Sequence, residues 1–420
     1  MITHLLFFLL VLLLIGIAPS DAACKHPNFL LKILGAYALL IGVIYLQAIF
    51  EKKWLRRHKR FFYLLTQCEI LLFLAFCYFY LNIKSLLPQQ LPLFYSQFFA
   101  TLIPLLFYFC AIALYHYTSF YSLNRRSAYL YAARQIKILI PFALPFLVFT
   151  LFMDLSTGLH LSENETAQLA VLISTVCFSA FLLPPAICFL WDCHPLHDSV
   201  ILQRLEGICK KAHFTHGGLK QWNLFEFTPT AAILGIIPRF RYILFTPSLL
   251  SQLSPKALEA VLAHEIGHSK HRHLLFFPFV LYGMVLFVSL ILETLLFYFP
   301  ILNAPLFLFF LYALLLAFFF RYALGFFSRL FERQADLYGL QIGIPPTDMI
   351  EALDTIGKLT GNSHKTPNWH HFSLEERILF LKKVAKNPQL AVEYHHYVFI
   401  VRLLFILVLG IASALSFFFF

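Results

Sequence analysis

The chain has 420 residues, of which 60% are hydrophobic, 18% aromatic and only 13% charged, whereas a soluble domain averages about 25% charged residues. That balance excludes an ordinary soluble globular protein and puts most of the chain in a lipid bilayer. A net charge of +11 would suit a nucleic-acid partner, but the basic residues follow membrane topology instead, so no nucleic-acid partner is expected.

In chain order, Leu5 to Ile17 is apolar and small residues follow to Ala23. Residues 1–23 therefore read as a signal sequence cut near Ala22 or Ala23, or as a first membrane anchor. Asp21 speaks against lipid attachment at Cys24. Apolar runs long enough to cross a bilayer lie at 28–50, 61–83, 93–115, 138–154, 168–191, 274–299, 304–325 and 399–419, which gives eight spans. The 138–154 run is short and carries Pro141 and Pro145, which membrane helices tolerate. The expected division is a multi-span domain at 24–191, a polar segment at 192–273, a two-span hairpin at 274–325, a second polar segment at 326–398 and a last span at 399–420.

Charge sets the orientation. The stretch Glu51-Lys-Lys-Trp-Leu-Arg-Arg-His-Lys-Arg60 is strongly basic and belongs inside. Counting spans puts 116–137, with Arg125, Arg126, Arg134 and Lys137, on the same side, and puts 155–167, with Glu163 and Glu165, outside. Residues 192–273 and 326–398 then both face the cytoplasm. The eight cysteines form no C-x-x-C pair and read as small packing residues rather than a disulfide or metal framework.

The first polar segment opens with an amphipathic helix from Asp198 to His213, broken by Gly217-Gly218. Short β-favouring runs follow at 220–227, 231–237 and 241–246, with Pro229 and Pro238 between them. Proline at strand ends suits an edge strand, and an open edge can pair with an extended peptide. Ser254-Pro255 then supplies an N-cap and a proline at the first helical position. The helix so begun carries His264-Glu265-Ile-Gly-His268. Residues four apart share one helical face, so both imidazoles can reach one Zn²⁺, while Glu265 can take a proton from water. The basic run Lys270-His271-Arg272-His273 follows at once, and by itself would suit a solvated face ahead of a membrane helix.

A third ligand is available in Phe331-Glu332-Arg-Gln-Ala335-Asp336, just past a span and on the same side. Glu332 can complete a His₂Glu site, and Asp336, one turn on, can accept a ring N–H from a ligand histidine. The pairing of H-E-x-x-H with E-x-x-A-D resembles the membrane-bound zinc metalloprotease family that includes HtpX and the CAAX-prenyl endopeptidases. The Arg241–Leu250 and Leu258–Ala263 stretches and Trp369-His-His371-Phe-Ser-Leu-Glu-Glu376-Arg377 are also similar to that family, so the resemblance covers roughly 195–385.

The resemblance implies one zinc ion per chain held by His264, His268 and Glu332, with Glu265 as general base and Asp336 orienting a ligand histidine. It also implies His371 as the oxyanion donor, Arg377 as its support, and Thr230, Ala231 and Ala232 as the strand that meets substrate. His370 could stand in for His371, with His364 a further contender. Thr230 stands where the family often has Asn. A metzincin would need Gly and His where this chain has His271 and Leu274, and an intramembrane protease would bury the motif inside a span.

The expected fold class is mainly α: a polytopic α-helical membrane protein with a small α+β zinc-metalloprotease domain built from two cytoplasmic segments. The expected activity is zinc-dependent hydrolysis of peptide bonds at the cytoplasmic face, with a polypeptide substrate from a membrane or membrane-associated protein and the lipid bilayer as the other partner. A non-catalytic zinc-binding scaffold or transporter is the alternative. The short loops point to a bacterial plasma membrane, with the endoplasmic reticulum second, where the outer Asn164-Glu-Thr166 sequon would matter. Oligomeric state has no sequence signal.

Overall fold

The computed structural model describes residues 2–17, 28–54, 59–83, 92–119, 125–161, 164–226, 228–302, 304–361, 364 and 373–419. Eight helices among them are long and apolar enough to cross a membrane, and they correspond one to one with the eight apolar runs of the sequence. The chain is mainly helical and divides into two compact units, one made of 1–183 and 301–313 and the other of 184–300 and 314–420.

The first unit holds α1 (Ile2–Ile17), α2 (Phe29–Trp54), α3 (Lys59–Ala75, continued by a π turn at Phe76–Tyr80), α4 (Leu93–Ser119), α5 (Arg125–Gly158) and most of α6 (Glu165–Leu190). Its core joins Leu14, Ile44, Ile70, Leu74, Tyr108, Ile112 and Leu139 from five of these helices. The helices run well past the apolar stretches. The expected inside loop at 116–137 is largely helical, because it has neither Gly nor Pro to stop α4 or delay α5. Pro141 and Pro145 lie within α5 without ending it. The first backbone N–H groups of α4 are satisfied from outside the helix, as Leu93 and Phe94 donate to the Asp154 carboxylate at 2.7 and 2.6 Å.

The second unit begins in the last turns of α6. It continues through β1 (Cys193–Pro195), α7 (Ser199–Lys211), β2 (Gly218–Trp222), β3 (Ala231–Leu234), β4 (Tyr242–Phe245), α8 (Pro247–Gln252), α9 (Pro255–Lys270) and α10 (His273–Tyr298). After α11 (Pro305–Phe319), whose second half belongs here, come a π turn at Phe320–Leu324, α12 (Gly325–Gln341), α13 (Pro346–Leu359), α14 (Leu374–Lys386) and α15 (Gln389–Phe419).

The four strands form one sheet in the order β1-β2-β4-β3. The β2–β4 pair is parallel, with Leu219 beside Ile243, and the β3–β4 pair is antiparallel, with Ala232 beside Leu244. β3 is therefore an edge strand. β1, three residues long, is too short to show as a period-two pattern in the sequence.

β4, fully buried from Ile243 to Phe245, and the apolar face of α7 pack the sheet against α9. Leu205, Ile208, Leu219, Ile243, Phe245, Leu258, Leu262 and Ile266 share this core with Met349 and Leu353 of α13. On the other side of α9 lies α12, close enough to need a glycine between them. A Cβ on Gly267 would meet the Ala335 carbonyl oxygen at 2.9 Å and its Cα at 3.0 Å. Gly267→Ala should therefore push α12 outward and cost about 1–3 kcal/mol as overpacking, with zinc affinity falling alongside. Chemical denaturation and metal titration check this; a neutral substitution would show that the contact is soft.

Candidate active site

Two helices bring the site together. α9 starts where the sequence places it, with the Ser254 hydroxyl accepting from Ala257 N at 3.2 Å and Pro255 in the first turn. Its core-facing residues from Ala257 to Gly267 are buried, which fixes the rotation of the helix and turns His264 and His268 towards α12. That second helix presents Glu332 and Asp336 from one face, 6% and 0% exposed. It continues the helical run that starts at Leu306 and reaches Gln341, 36 residues in all. About 20 residues suffice to cross a bilayer, so the run is long enough to carry its C-terminal turns beyond the apolar layer.

His264 Nε2 and His268 Nε2 stand 3.2 Å apart. Glu332 Oε2 lies 3.6 Å from the former, and Oε1 of the same carboxylate lies 3.6 Å from the latter. A tetrahedral zinc ion with bonds of about 2.0–2.1 Å needs ligand atoms roughly 3.3–3.4 Å apart. Two imidazole nitrogens and one carboxylate at that spacing fit such an ion without rearrangement, and this is the group of His and acidic residues the described structure offers for a metal. Burial, with His264 beside it, pushes the His268 imidazole down to about 3, which keeps it in the neutral form that binds a metal.

The ring nitrogens on the far side are both held. His264 Nδ1–H donates to Asp336 Oδ1 at 2.8 Å, and although burial opposes protonation of His264, that carboxylate outweighs it and raises the pKa. Asp336 is gripped in turn by Arg377, whose Nε and Nη2 donate to its two oxygens at 2.9 and 2.6 Å. Nη1 of the same guanidinium reaches Glu332 Oε2 at 3.0 Å. Arg377 is itself buried, on α14, whose start is pinned by a capping box between Ser373 and Glu376. The structure thus sets Arg377 against the two carboxylates of α12.

His268 has a longer support, which the sequence did not reveal. With Nε2 turned to the metal position, its Nδ1–H donates to His273 Nδ1 at 2.9 Å. His273 Nε2–H donates to Gln334 Oε1 at 2.9 Å, and the Gln334 amide donates to His395 Nδ1 at 3.1 Å. His273 is buried and stacks flat on Phe331, with ring centroids 4.1 Å apart. In sequence it sits in a basic run that looks like a solvated flank. Its spacing of five from His268 was the available signal, but a turn with Arg272 in the left-handed conformation (φ 56°) is what folds the ring back.

Glu265 is half-buried and close enough to Arg377 to feel its charge. Ala231 and Ala232 open β3 and Thr230 directly precedes it, all three half-buried, with Thr230 N donating to Thr246 Oγ1 at 3.1 Å. His364 pairs with Asp354 of α13 at 3.0 Å rather than with the metal ligands. His370 and His371 lie outside the described residues.

Residues 196–385 match the profile of peptidase family M48. This part of the chain is a peptidase family M48 domain. The matched segment takes in most of both polar stretches and the hairpin between them, and together with the eight membrane-length helices it supports a metallopeptidase of the membrane. None of the curated proteins matches in sequence. Among solved structures the chain is similar to a crystal structure of S. mikatae Ste24p, with 16% identity and a TM-score of 0.49 over 85% of this chain and 100% of that one.

Removing the acceptor for His268 Nδ1–H should be felt at the metal. His273→Phe keeps the stacking on Phe331 but should lower zinc affinity by about 10–100-fold, while His273→Asn, which retains an acceptor, should recover part of it. Titration against a competing chelator measures both, and equal affinities for wild type and His273→Phe would remove His273 from the support.

Proposed function

We propose that the protein is a zinc-dependent endopeptidase that hydrolyses peptide bonds of membrane or membrane-associated proteins at the cytoplasmic face of the membrane. The observation that carries this reading is the spacing of two imidazole nitrogens and one carboxylate, suited to a tetrahedral ion, beside a glutamate that is not among them. A structural zinc site usually fills all four positions with protein ligands. Here His264, His268 and Glu332 leave one position open, and a scaffold or transporter would have no use for Glu265.

Zinc, when bound there, supplies a Lewis acid for the scissile carbonyl and acidifies a water molecule. Glu265 takes a proton from the attacking water and passes it to the leaving amine. Asp336, fixed by Arg377, holds His264 in the tautomer that leaves Nε2 free for the metal, and His273 does the same for His268. Arg377 also sets a positive charge against Glu332, which offsets part of the carboxylate charge in a buried place. His371 is the donor we assign to the developing oxyanion. The open outer edge of β3 supports substrate binding as an added strand, with main-chain hydrogen bonds from Ala231, because Thr230 and, two residues on, Ala232 turn theirs to β4; β3 also packs on α9, the helix that carries Glu265.

The location of the substrate follows from the tethers. α10 and α15 are membrane-length helices; α10 begins five residues after His268 and α15 carries His395 of the chain behind it, so a polypeptide near or in the bilayer is the natural reactant. A bacterial plasma membrane is the setting we favour.

Glu265→Gln should keep stoichiometric zinc and lose most casein hydrolysis, by roughly 10²–10⁴-fold, and a zinc chelator should abolish the wild-type activity reversibly. Near-normal turnover in the variant would remove the assigned base. Orientation has its own test: single cysteines at Ser251, Asn303 and Ser363 in a cysteine-free background are exposed to a membrane-impermeant thiol reagent on intact cells. Only Asn303 should label. Labelling at Ser251 and Ser363 instead would reverse the orientation, and labelling at just one of those two would separate the halves of the site.

A further inference from the structure

We propose that the connection between β3 and β4 docks into the bilayer, resting its apolar tip at the boundary between lipid headgroups and acyl chains. The connection, Gly235-Ile-Ile-Pro-Arg-Phe-Arg241, is far longer than the two-residue turn that would suffice for a hairpin, and it is apolar where an exposed loop is normally polar. Ile236 is 37% exposed, and Pro238 and Arg239 are exposed beside it.

Depth is fixed by a contact with a membrane-length helix. Gly235 adopts φ +95°, and a Cβ there would lie 2.3 Å from the Phe240 carbonyl oxygen and 3.0 Å from Cγ of Pro184. Pro184 belongs to α6, whose membrane-length stretch runs from Glu165 to Leu190. Six residues at 1.5 Å each place Pro184 about 9 Å back from the end of that helix. The polar layer of a bilayer leaflet is about 5–8 Å deep, so a group touching Pro184 sits at the level where acyl chains begin. Phe189, about 7.5 Å nearer the end of α6 and 86% exposed, keeps the surface apolar from that level almost to the end of the helix.

The tip is also rigid. The Arg241 guanidinium donates to the carbonyls of Ile236 and Thr215 and lies 4.8 Å over the Phe214 ring. Exposure of Ile236 is therefore a held conformation, and water is a poor partner for it. Arg239 at the same tip is positioned to meet lipid phosphates, which matches an anionic membrane surface. A consequence, which rests on the peptidase reading above, is that β3 leaves the membrane surface at Leu234 and runs to Ala231. A polypeptide emerging from the bilayer beside the tip would meet the open strand edge directly.

Nitroxide labels at Ile236→Cys and, as a second position, Ile237→Cys in a cysteine-free chain test the docking. The full-length protein is placed in vesicles of phosphatidylcholine and phosphatidylglycerol, with Ser251→Cys as the water-facing control. Collision with dissolved oxygen should exceed collision with a water-soluble nickel complex at the tip, with the reverse at Ser251. A tip as open to nickel as Ser251 would overturn the proposal. Zinc-stripped protein should give the same result, so loss of the peptidase reading would leave the docking result standing. For the consequence, Ile236→Asp should lower cleavage of a membrane-anchored reporter several-fold more than cleavage of the same peptide without its anchor. Equal losses would show that the tip does not present substrate.

Discussion

The site depends first on a buried ion cluster. Asp336, Glu332 and Arg377 come from positions 41 or more residues apart between helix α12 and helix α14, and all three are nearly inaccessible to water. Removing one partner from such a cluster leaves an uncompensated buried charge, at a cost of about 3–5 kcal/mol. That penalty is what locks α14 to α12. Two carboxylates and one guanidinium still leave a negative charge in the interior. A divalent cation between His264, His268 and Glu332 answers that charge, so the same cluster that joins the helices also favours the metal.

The histidines are positioned by different means. His264 is held by a carboxylate, which strengthens its basicity, whereas His268 is held by a neutral chain through His273 and Gln334 to His395. That chain ends on α15, and Arg402 of the same helix donates to the His271 carbonyl at 3.0 Å while lying 4.7 Å over the Phe276 ring. The C-terminal membrane helix is thus bonded to the turn that follows the motif. Tilt or loss of α15 would be transmitted to the metal through three hydrogen bonds.

Membrane and site are also continuous along the backbone. α11 passes into α12 through a π turn at Phe320–Leu324 without a break in the helix, and α10 starts two residues after α9 ends. Beyond that π turn, Glu332 and Asp336 face His264 of α9. A catalytic machinery held by such short rigid links has little freedom to leave the bilayer surface, which accords with a membrane-associated substrate.

The sequence alone determined the membrane class, because composition and eight apolar runs leave no other way to bury so much side chain. It also determined the local chemistry, since a spacing of four on a helix puts His264 with His268, and Glu332 with Asp336, whatever the rest of the fold. The edge position of β3 was legible in the prolines on either side of the 231–237 run, although the strand itself ends at Leu234. Contacts between distant segments were not. The reach of α4 and α5 beyond their apolar runs, the three-residue β1 and its pairing with β2, and the π turn that leads into α12 have no local signature. Arg377 and His273 show the limit most clearly: each looks like a surface charge in its own segment. Only packing decides that one clamps two carboxylates and the other turns back under His268, because burial belongs to the tertiary structure and not to any window of the chain.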